Sequence, residues 1–342
     1  MPYRLEFRRY RLSFRNAVRT AHGSWLEREG LVLKLEDEAG GAGFGEVAPI
    51  PWFGTETLAE AEAFLAKLGG TVDAGCVEQI DERCGCLRFA LASALQRDFG
   101  APIATPLPVA ALLPAGKAAC GAADEALAAG FVAFKWKVGV LDDADEWVVL
   151  DDLLARLPGH TKLRLDANGA WTTRRATKWL ERCAERPIEF VEQPCFADAS
   201  KGAAVQGRMD DALLGLAADY PTPIALDESV AGLPSLRRWL ERGWRGVVVV
   251  KPALAGDPAG VLALLEKHRA DAVFSSAFET DVGRQTALRM AFAFKGPRPR
   301  ALGFGAGAIF QDDRFDGLPP VPFLEFASLN HMQPEAIWNA LT

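Results

Sequence analysis

Apolar and polar residues follow one pattern up to about residue 103 and a different pattern after it. In the first part, short alternating stretches predict strands, and two stretches with apolar residues at helical spacing predict helices, which together make an α+β unit. The predicted strands cover residues 5–14, 30–36 and 44–49, and the predicted helices cover 57–67 and 86–99. The polar, Gly-containing segment 16–29 is predicted to be a mobile loop between the first two strands.

From residue 104 onwards, apolar strands alternate with amphipathic helices, which is the pattern of parallel βαβ units. The eight predicted strands cover residues 107–113, 133–138, 162–167, 188–193, 224–228, 247–251, 272–276 and 301–305. Their regular spacing predicts an α/β fold in which the strands close into a barrel. The segment 197–220 is longer than an ordinary crossover and is predicted to be a surface excursion.

These patterns divide the chain into three parts. We predict an α+β domain over residues 1–103 and a β/α barrel over residues 104–308. The remaining segment, 309–342, ends in an amphipathic stretch and is expected to pack back on the first domain.

Composition and charge narrow the classes of function. The formal net charge of −7 argues against a general nucleic-acid binder, and no apolar run is long enough to cross a bilayer, so we expect neither nucleic acid nor membrane as a partner. Six cysteines scattered through 342 residues predict reduced thiols and a cytoplasmic protein. The four histidines do not cluster, which gives little support to a zinc site or a Ser-His-Asp triad.

Two lysines stand on one face of the second predicted barrel strand. Lys135 and Lys137 share that face, because side chains alternate along a strand, and Trp136 takes the other. Two ammonium groups on an apolar strand repel each other and resist burial. Either an anionic or metal-bound group lies opposite them, or they are solvated on an edge strand. This stretch alone leaves both interpretations open.

Three carboxylates resolve the choice, because they follow the ends of three successive strands. Asp166, Glu192 and Asp227 are expected at the end of the barrel where the chemistry of such folds takes place. Asp166 alone could be a turn residue and Asp227 a helix cap. Together, however, the three would repel one another without a counter-charge. A hard divalent cation supplies that charge, and ligation by oxygen alone favours Mg²⁺ over zinc.

The ordered set of motifs resembles the enolase superfamily, in its muconate-lactonising-enzyme subgroup. The motifs are Lys-x-Lys (135–137), Asp-x-Asn (166–168), Glu-Gln-Pro (192–194), Asp-Glu-Ser (227–229) and Lys-Pro (251–252). Segments 19–30 and 45–49 resemble the capping domain of that superfamily. Arg164 and the pair Ser275 and Ser276 resemble the family of o-succinylbenzoate synthases in particular.

The resemblance implies a modified TIM-type (β/α)7β barrel with an N-terminal α+β capping domain. It implies Mg²⁺ as the cofactor, with Mn²⁺ as a substitute, and a small-molecule carboxylate as the substrate. The common step removes a proton next to a carboxylate and gives an enediolate. By resemblance, Lys137 is the base, Lys135 is its partner at the carboxylate, and Lys251 stabilises the enediolate from the opposite side. A lysine base works near neutral pH only when neighbouring cations lower its pKa.

For a synthase of this family, the reaction is a carbon–oxygen lyase step in menaquinone biosynthesis. It is the syn dehydration of 2-succinyl-6-hydroxy-2,4-cyclohexadiene-1-carboxylate to o-succinylbenzoate. The residues predicted to bind the substrate are Arg164, Asn168, Ser275, Ser276, His22, Trp25, Pro51 and Trp52. The last four lie in capping loops that are expected to close over the substrate, or else are ordinary surface-loop residues.

Several other functions fit part of the pattern. Racemisation of N-succinylamino acids or epimerisation of dipeptides needs a base on each face of the α-carbon, which Lys137 and Lys251 would provide. An epimerase of dipeptides usually carries Asp-x-Asp where this chain has the glycine-rich run 303–307, and muconate cycloisomerisation has less support. Mandelate-racemase-like chemistry needs a histidine in the seventh strand, and residues 272–279 contain none.

Hypotheses from other classes are also open. A barrel lysine can form a Schiff base without a metal, as in aldolases. The run 303–307 could cradle a phosphate, although a tight turn is the favoured interpretation. A non-catalytic binding protein would be expected to lack a metal ligand or a lysine, and none of them is missing from this sequence.

Overall fold

The structure is a computed structural model, and it describes residues 2–20, 23–95, 99–197, 201–297 and 300–341. The N-terminal unit is a four-stranded sheet in the order β3-β2-β1-β4. Its strands are β1 (Tyr3–Thr20), β2 (Gly23–Glu36), β3 (Ala42–Val47) and β4 (Thr71–Val72). Helices α1 (Leu58–Leu68) and α2 (Gly85–Leu95) complete it.

The hairpin of β1 and β2 corrects the prediction of a mobile loop over residues 16–29. Both strands run well into that segment, and their antiparallel register pairs Arg11 with Glu29. Arg9 forms an ion pair with Glu29, and Arg11 forms one with Glu27. The segment is polar because its side chains pair across the strands, a stabilisation that depends on the partner strand and that composition alone does not reveal.

The helices of this unit follow from local sequence. Thr57 caps α1 through a capping box with Glu60. Helix α2 lies directly on β3, where a Cβ atom on Gly43 or Gly45 would come within 1.9 Å of a carbonyl oxygen of the helix. Glycine at both positions therefore allows the close approach of helix and strand.

The second unit is a β/α barrel with seven hydrogen-bonded parallel strands. They are β6 (Ala110–Leu113), β7 (Ala133–Lys137), β8 (Lys162–Asp166), β9 (Ile188–Glu192), β10 (Ile224–Leu226), β11 (Val247–Val250) and β12 (Asp271–Phe274), neighbours in that order. Parallel bridges from Leu302 to Val109 and from Gly303 to Ser275 close the ring. The eighth predicted strand is thus reduced to two bridged residues, and the predicted α/β barrel is confirmed.

Helices surround the barrel strands. They are α3 (Ala118–Ala128), α4 (Asp143–Arg156), α5 (Thr173–Cys183), α6 (Ala203–Asp219), α7 (Leu233–Glu241), α8 (Pro252–Ala255), α9 (Pro258–Lys267) and α10 (Asp281–Ala293). Helix α6 corrects the prediction of a surface excursion over residues 197–220, because its Leu213 and Leu216 are buried in the main core. Within the described residues, no helix has the length and apolar character needed to span a membrane.

The C-terminal segment returns to the N-terminal unit. A short strand, β13 (Phe323–Leu324), pairs with β5 (Leu107–Pro108), and helix α11 (Pro334–Ala340) lies beside β1. Arg8 donates to the carbonyl oxygens of Trp338, at 2.7 Å, and Leu341, at 2.6 Å, and its guanidinium group stacks on the Trp338 ring. The division of the chain into three parts stays a prediction.

Candidate active site

A cavity of about 310 Å³ lies at the carboxyl ends of the barrel strands, beneath loops of the N-terminal unit. Its floor carries the charged side chains of Lys135, Lys137, Asp166, Asp227, Glu228 and Lys251. Its walls are largely apolar and include Val18, Trp25, Ile50, Trp52, Phe53, Leu113, Phe196 and Phe278. A mostly apolar pocket with a few converging polar groups is typical of small-molecule sites.

Strand geometry brings the charged residues together. Lys135 and Lys137 share the inner face of β7, while Trp136 is fully buried on the other face, as predicted. Lys137 is in register with Asp166 on β8, and Asp166 is in register with Glu192 on β9. The prediction that these groups lie at one edge of the barrel is therefore confirmed for the strands that carry them.

The lysines form ion pairs with the carboxylates. The Lys135 Nζ atom lies 2.8 Å from Asp166 Oδ2 and 2.9 Å from Glu192 Oε1. Lys251, which follows β11, forms an ion pair with Asp227. Among the residues that the structure describes, no three Asp, Glu, His or Cys side chains converge in a geometry that holds a metal ion. The three carboxylates lie at the ends of successive strands, and each has an oxygen atom paired with a lysine ammonium group.

The carboxylates of this cluster repel one another, and the lysines offset that repulsion unevenly. Burial and the neighbouring Asp166 raise the pKa of Glu192 to about 7. Burial alone would raise the pKa of Asp166 too, but the adjacent Lys135 outweighs it and the pKa is lowered. Burial alone would lower the pKa of Lys135, but the adjacent carboxylates of Asp166 and Glu192 have the larger effect and raise it. The donors of this set are all carboxylate oxygens, which are the ligands that a hard divalent cation prefers, and such a cation would relieve their mutual repulsion.

Glu228 belongs to the same cluster, although no role for it was predicted from the sequence. Burial and the adjacent Asp227 raise the pKa of Glu228 to about 8. Its Oε1 atom lies 3.5 Å from the amide nitrogen of Asn168, and its Oε2 atom has no hydrogen-bond donor among the described residues. The Asp-Glu-Ser motif could have indicated this residue, because a carboxylate next to a predicted metal ligand experiences the same neighbouring negative charges.

Gln193 fixes the backbone that carries Asp227. Its side-chain oxygen accepts hydrogen bonds from the amide groups of Asp227 at 2.9 Å and Ser229 at 3.2 Å. Its amide nitrogen donates to the carbonyl oxygen of Cys195 and to the hydroxyl of Ser229, both at 2.8 Å. The Glu-Gln-Pro motif therefore joins the ends of β9 and β10, which positions two of the three carboxylates.

The structure places five of the eight predicted substrate-binding residues in the cavity wall. Those five are Asn168, Ser275, Ser276, Trp25 and Trp52. The Ser275 hydroxyl donates to the carbonyl oxygen of Gly303 at 3.2 Å. The Ser276 hydroxyl donates to Glu279 at 3.2 Å and accepts from the amide of Phe278 at 3.0 Å. Both serines are thus held at the edge of the cavity by neighbouring loops.

The remaining three residues do not appear there. Arg164 lies one layer deeper in the barrel, where it donates to Glu189 at 2.6 Å and to the carbonyl oxygen of Ala301 at 2.8 Å. It shares a strand face with Asp166 but precedes it by two residues, so it does not line the cavity, contrary to the prediction. Pro51 is exposed and does not line the cavity either, while its neighbour Trp52 does. His22 lies outside the described residues.

Phe53 and Phe278, which the sequence did not single out, complete the roof together with the predicted Trp25 and Trp52. The Phe53 ring lies over the ammonium group of Lys251, 4.8 Å from Nζ to the ring centroid. Trp25 makes edge-to-face contacts with Trp52 at 5.0 Å and with Phe278 at 5.8 Å. The cavity is therefore closed on the side of the N-terminal unit by packed aromatic rings.

Comparison with known proteins agrees with this geometry. Residues 119–322 match the family described as Enolase C-terminal domain-like, and residues 4–97 match the family described as MenC, N-terminal domain. An o-succinylbenzoate synthase of Thermosynechococcus vestitus is 39% identical over 308 residues, which cover 88% of this chain and 92% of that protein. One of Yersinia enterocolitica is 31% identical over 83% of this chain and 84% of that protein.

Solved structures extend the comparison. The o-succinylbenzoate synthase from Thermosynechococcus elongatus BP-1, complexed with Mg in the active site, has a TM-score of 0.81 and 35% identity and covers 99% of this chain and 100% of that chain. A dipeptide epimerase from Enterococcus faecalis, complexed with Mg and a dipeptide, has a TM-score of 0.73 at 21% identity. The match covers 95% of this chain and 97% of the epimerase chain and shows that the two share a fold. This chain belongs to the o-succinylbenzoate synthase family of the enolase superfamily.

Proposed function

We propose that the protein is a Mg²⁺-dependent carbon–oxygen lyase that dehydrates 2-succinyl-6-hydroxy-2,4-cyclohexadiene-1-carboxylate to o-succinylbenzoate in menaquinone biosynthesis. The observation that carries the proposal is the charged cavity floor in a chain of this family. There, Lys135 and Lys137 on β7 and Lys251 after β11 converge on a carboxylate cluster. Strands β7 and β11 lie four places apart in the barrel, so the lysines approach a bound ring from opposite sides.

Asp166, Glu192 and Asp227 would hold the Mg²⁺ ion. When bound, Mg²⁺ stabilises the negative charge that develops on the substrate carboxylate. We propose that Mn²⁺ can take its place, because the same carboxylate oxygens suit both ions. The family relative from Thermosynechococcus elongatus carries Mg in its active site, which supports the assignment.

Lys137 acts as the base in this proposal. Its amine takes the proton from the ring carbon that bears the carboxylate, and the electron pair moves into the ring as the carbon–hydroxyl bond breaks. Lys137 returns the proton to the departing hydroxide on the same face, so the products are water and an aromatic ring. Lys135 lies near the substrate carboxylate, and Lys251 stabilises the developing negative charge from the opposite side.

The roof of the cavity binds the substrate and excludes water. Trp25, Trp52 and Phe53 supply apolar area for the ring. Ser275 and Ser276 stand at the cavity edge, where their hydroxyl groups can donate to the succinyl carboxylate once they turn away from Gly303 and Glu279. Exclusion of water strengthens the attraction between the lysines and the charge that forms during the reaction.

Racemisation of N-succinylamino acids is the second candidate, and one observation favours it. Lys137 and Lys251 both line the cavity from opposite sides of the barrel, as a two-base racemase requires.

The experiment that decides between the two reactions measures kcat/KM of one Mg²⁺-loaded preparation for the cyclohexadiene acid, by ultraviolet absorbance, and for an N-succinylamino acid, by polarimetry. We expect the dehydration to be the faster reaction. Racemisation without measurable dehydration would overturn the proposal.

A further inference from the structure

Arg28 joins the two loops that form the roof of the cavity, although it does not line the cavity itself. It stands on β2 with 1% of its surface exposed. Its guanidinium group donates to five backbone carbonyl oxygens: that of the adjacent Glu29 (3.5 Å) and those of Ala48, Pro49 (2.6 Å), Ala277 (3.4 Å) and Phe278 (3.2 Å). A planar group with five donors suits this arrangement, which a lysine ammonium group cannot reproduce.

Apart from Glu29, the acceptors belong to two different units of the chain. Ala48 and Pro49 follow β3 and lead directly into the turn that carries Trp52 and Phe53. Ala277 and Phe278 follow β12, immediately after Ser275 and Ser276. Both loops contribute side chains to the cavity. The guanidinium group therefore fixes the separation of the two loops between which the substrate must fit.

The same side chain supports the aromatic roof. The Arg28 guanidinium carbon lies 5.2 Å from the centroid of the Trp25 ring, and Trp25 contacts both Trp52 and Phe278. Phe278 adopts a left-handed backbone conformation, with φ at 60°, which an aromatic residue rarely takes. Its carbonyl oxygen accepts from Arg28, so this hydrogen bond helps to hold the strained residue in place.

A separate contact holds the two units together a few residues further on. The buried carboxylate of Glu46 accepts from the amide of Thr280 at 2.9 Å, from its hydroxyl at 2.6 Å and from the amide of Gly283 at 2.8 Å. Tyr10 donates to the same carboxylate at 2.6 Å. The start of α10 is therefore tied to β3 independently of Arg28, and loss of Arg28 should loosen the roof rather than separate the units.

We propose that Arg28 is a positioning residue that sets the spacing of roof loops 48–53 and 275–278 and thereby the affinity for substrate. The proposal rests on the proposed function. Arg28 makes no contact with the lysines in any described interaction, so its loss should weaken substrate binding more than it slows the proton transfer.

Arg8 offers a matched control. Its guanidinium group also donates to two carbonyl oxygens and stacks on a tryptophan, Trp338. It joins β1 to α11, however, and does not touch either roof loop. Arg28→Met and Arg8→Met therefore remove similar interactions, but only the first changes the roof.

The experiment measures steady-state kinetics for the cyclohexadiene acid and the calorimetric Kd of o-succinylbenzoate, both with Mg²⁺, together with thermal stability. We expect Arg28→Met to raise KM and the product Kd about tenfold while kcat changes less than about threefold. Arg28→Lys, which keeps the charge, should give an intermediate KM and carries the test if the methionine variant fails to fold. Arg8→Met should lower thermal stability and leave both constants unchanged.

Two results would overturn the positioning role. One is wild-type KM and product Kd in both Arg28 variants, and the other is an equal rise of these constants in Arg8→Met. The product Kd separates this inference from the proposed function. A wild-type protein that binds o-succinylbenzoate without dehydrating the cyclohexadiene acid contradicts the reaction, while the comparison of product Kd values still decides the role of Arg28.

Discussion

Glu192 should couple the binding of Mg²⁺ to the release of a proton. Its carboxyl group is buried 2.9 Å from the Lys135 ammonium group, and burial together with Asp166 raises its pKa to about 7. Below that pH the group is mainly protonated in the metal-free protein. A carboxylic acid is a poor ligand for Mg²⁺, so the ion and the proton compete for the same oxygen atoms.

The pKa sets the size of this effect. Competition with one proton makes the affinity for Mg²⁺ roughly tenfold weaker at about pH 6 than at about pH 8, a difference of ~1.4 kcal/mol. The same group affects stability, because a raised pKa means that the folded state binds more protons than the unfolded chain between the ordinary pKa and pH 7. Its contribution to the free energy of unfolding therefore falls as pH rises through that range, and Mg²⁺ should restore it.

Titration calorimetry with Mg²⁺ tests this linkage. Measurements in buffers of different ionisation enthalpy should show that Glu192, taken as the difference between the wild-type protein and Glu192→Gln, releases about 0.9 proton at about pH 6 and about 0.1 at about pH 8. Glu192→Gln, which has an oxygen donor but no titrating group, should bind Mg²⁺ more weakly and without this proton release. An affinity that is independent of pH in the wild-type protein, with no proton released, would refute the reasoning.

Three further predictions concern single side chains. Lys137→Ala should lower kcat at least about 10³-fold and leave the calorimetric affinity for Mg²⁺ nearly unchanged, because the base is lost while the carboxylates remain; retained turnover would remove Lys137 from this role. Burial raises the pKa of Asp281 to about 7, so its charge destabilises the fold increasingly as pH rises from the ordinary range to 7. The pKa shift from 3.8 to about 7 corresponds to ~4 kcal/mol, which the partial exposure of Asp281 to solvent reduces. Asp281→Asn should therefore raise the free energy of unfolding by ~2 kcal/mol at about pH 8 in urea titrations, whereas Asp145→Asn, an exposed first-turn control, should not. Phe53→Leu should lower kcat about fivefold through loss of the ring over Lys251, and Phe53→Tyr should retain it; equal rates in both variants would exclude that contact.

The floor of the site was predictable because strand ends are local features. Asp166, Glu192 and Asp227 each follow an apolar run, and parallel strands present their carboxyl ends at one edge. The depth of a residue within the barrel is not a local feature of the sequence. Arg164 shares its face with Asp166, but whether a residue reaches the cavity depends on its level along the strand, which alternation does not give.

Contacts between distant segments account for what the sequence did not predict. The pairing of Lys135 with Asp166 and Glu192 depends on side-chain positions that strand order leaves open. Arg28 acts on Ala277 and Phe278, which lie about 250 residues away along the chain, so no local pattern indicates its role. The polar residues of the β1–β2 hairpin suggested a loop because their cross-strand partners are visible only once the strands are paired.

The most direct test of the account is the rate at which the wild-type protein aromatises 2-succinyl-6-hydroxy-2,4-cyclohexadiene-1-carboxylate as Mg²⁺ is removed and restored. We predict steady formation of o-succinylbenzoate with Mg²⁺, loss of the reaction in excess EDTA, and its full return when Mg²⁺ is added back in excess. Turnover that persists in EDTA would contradict the metal-assisted chemistry proposed for Asp166, Glu192 and Asp227. Absence of turnover in the Mg²⁺-loaded protein would contradict the proposed reaction itself.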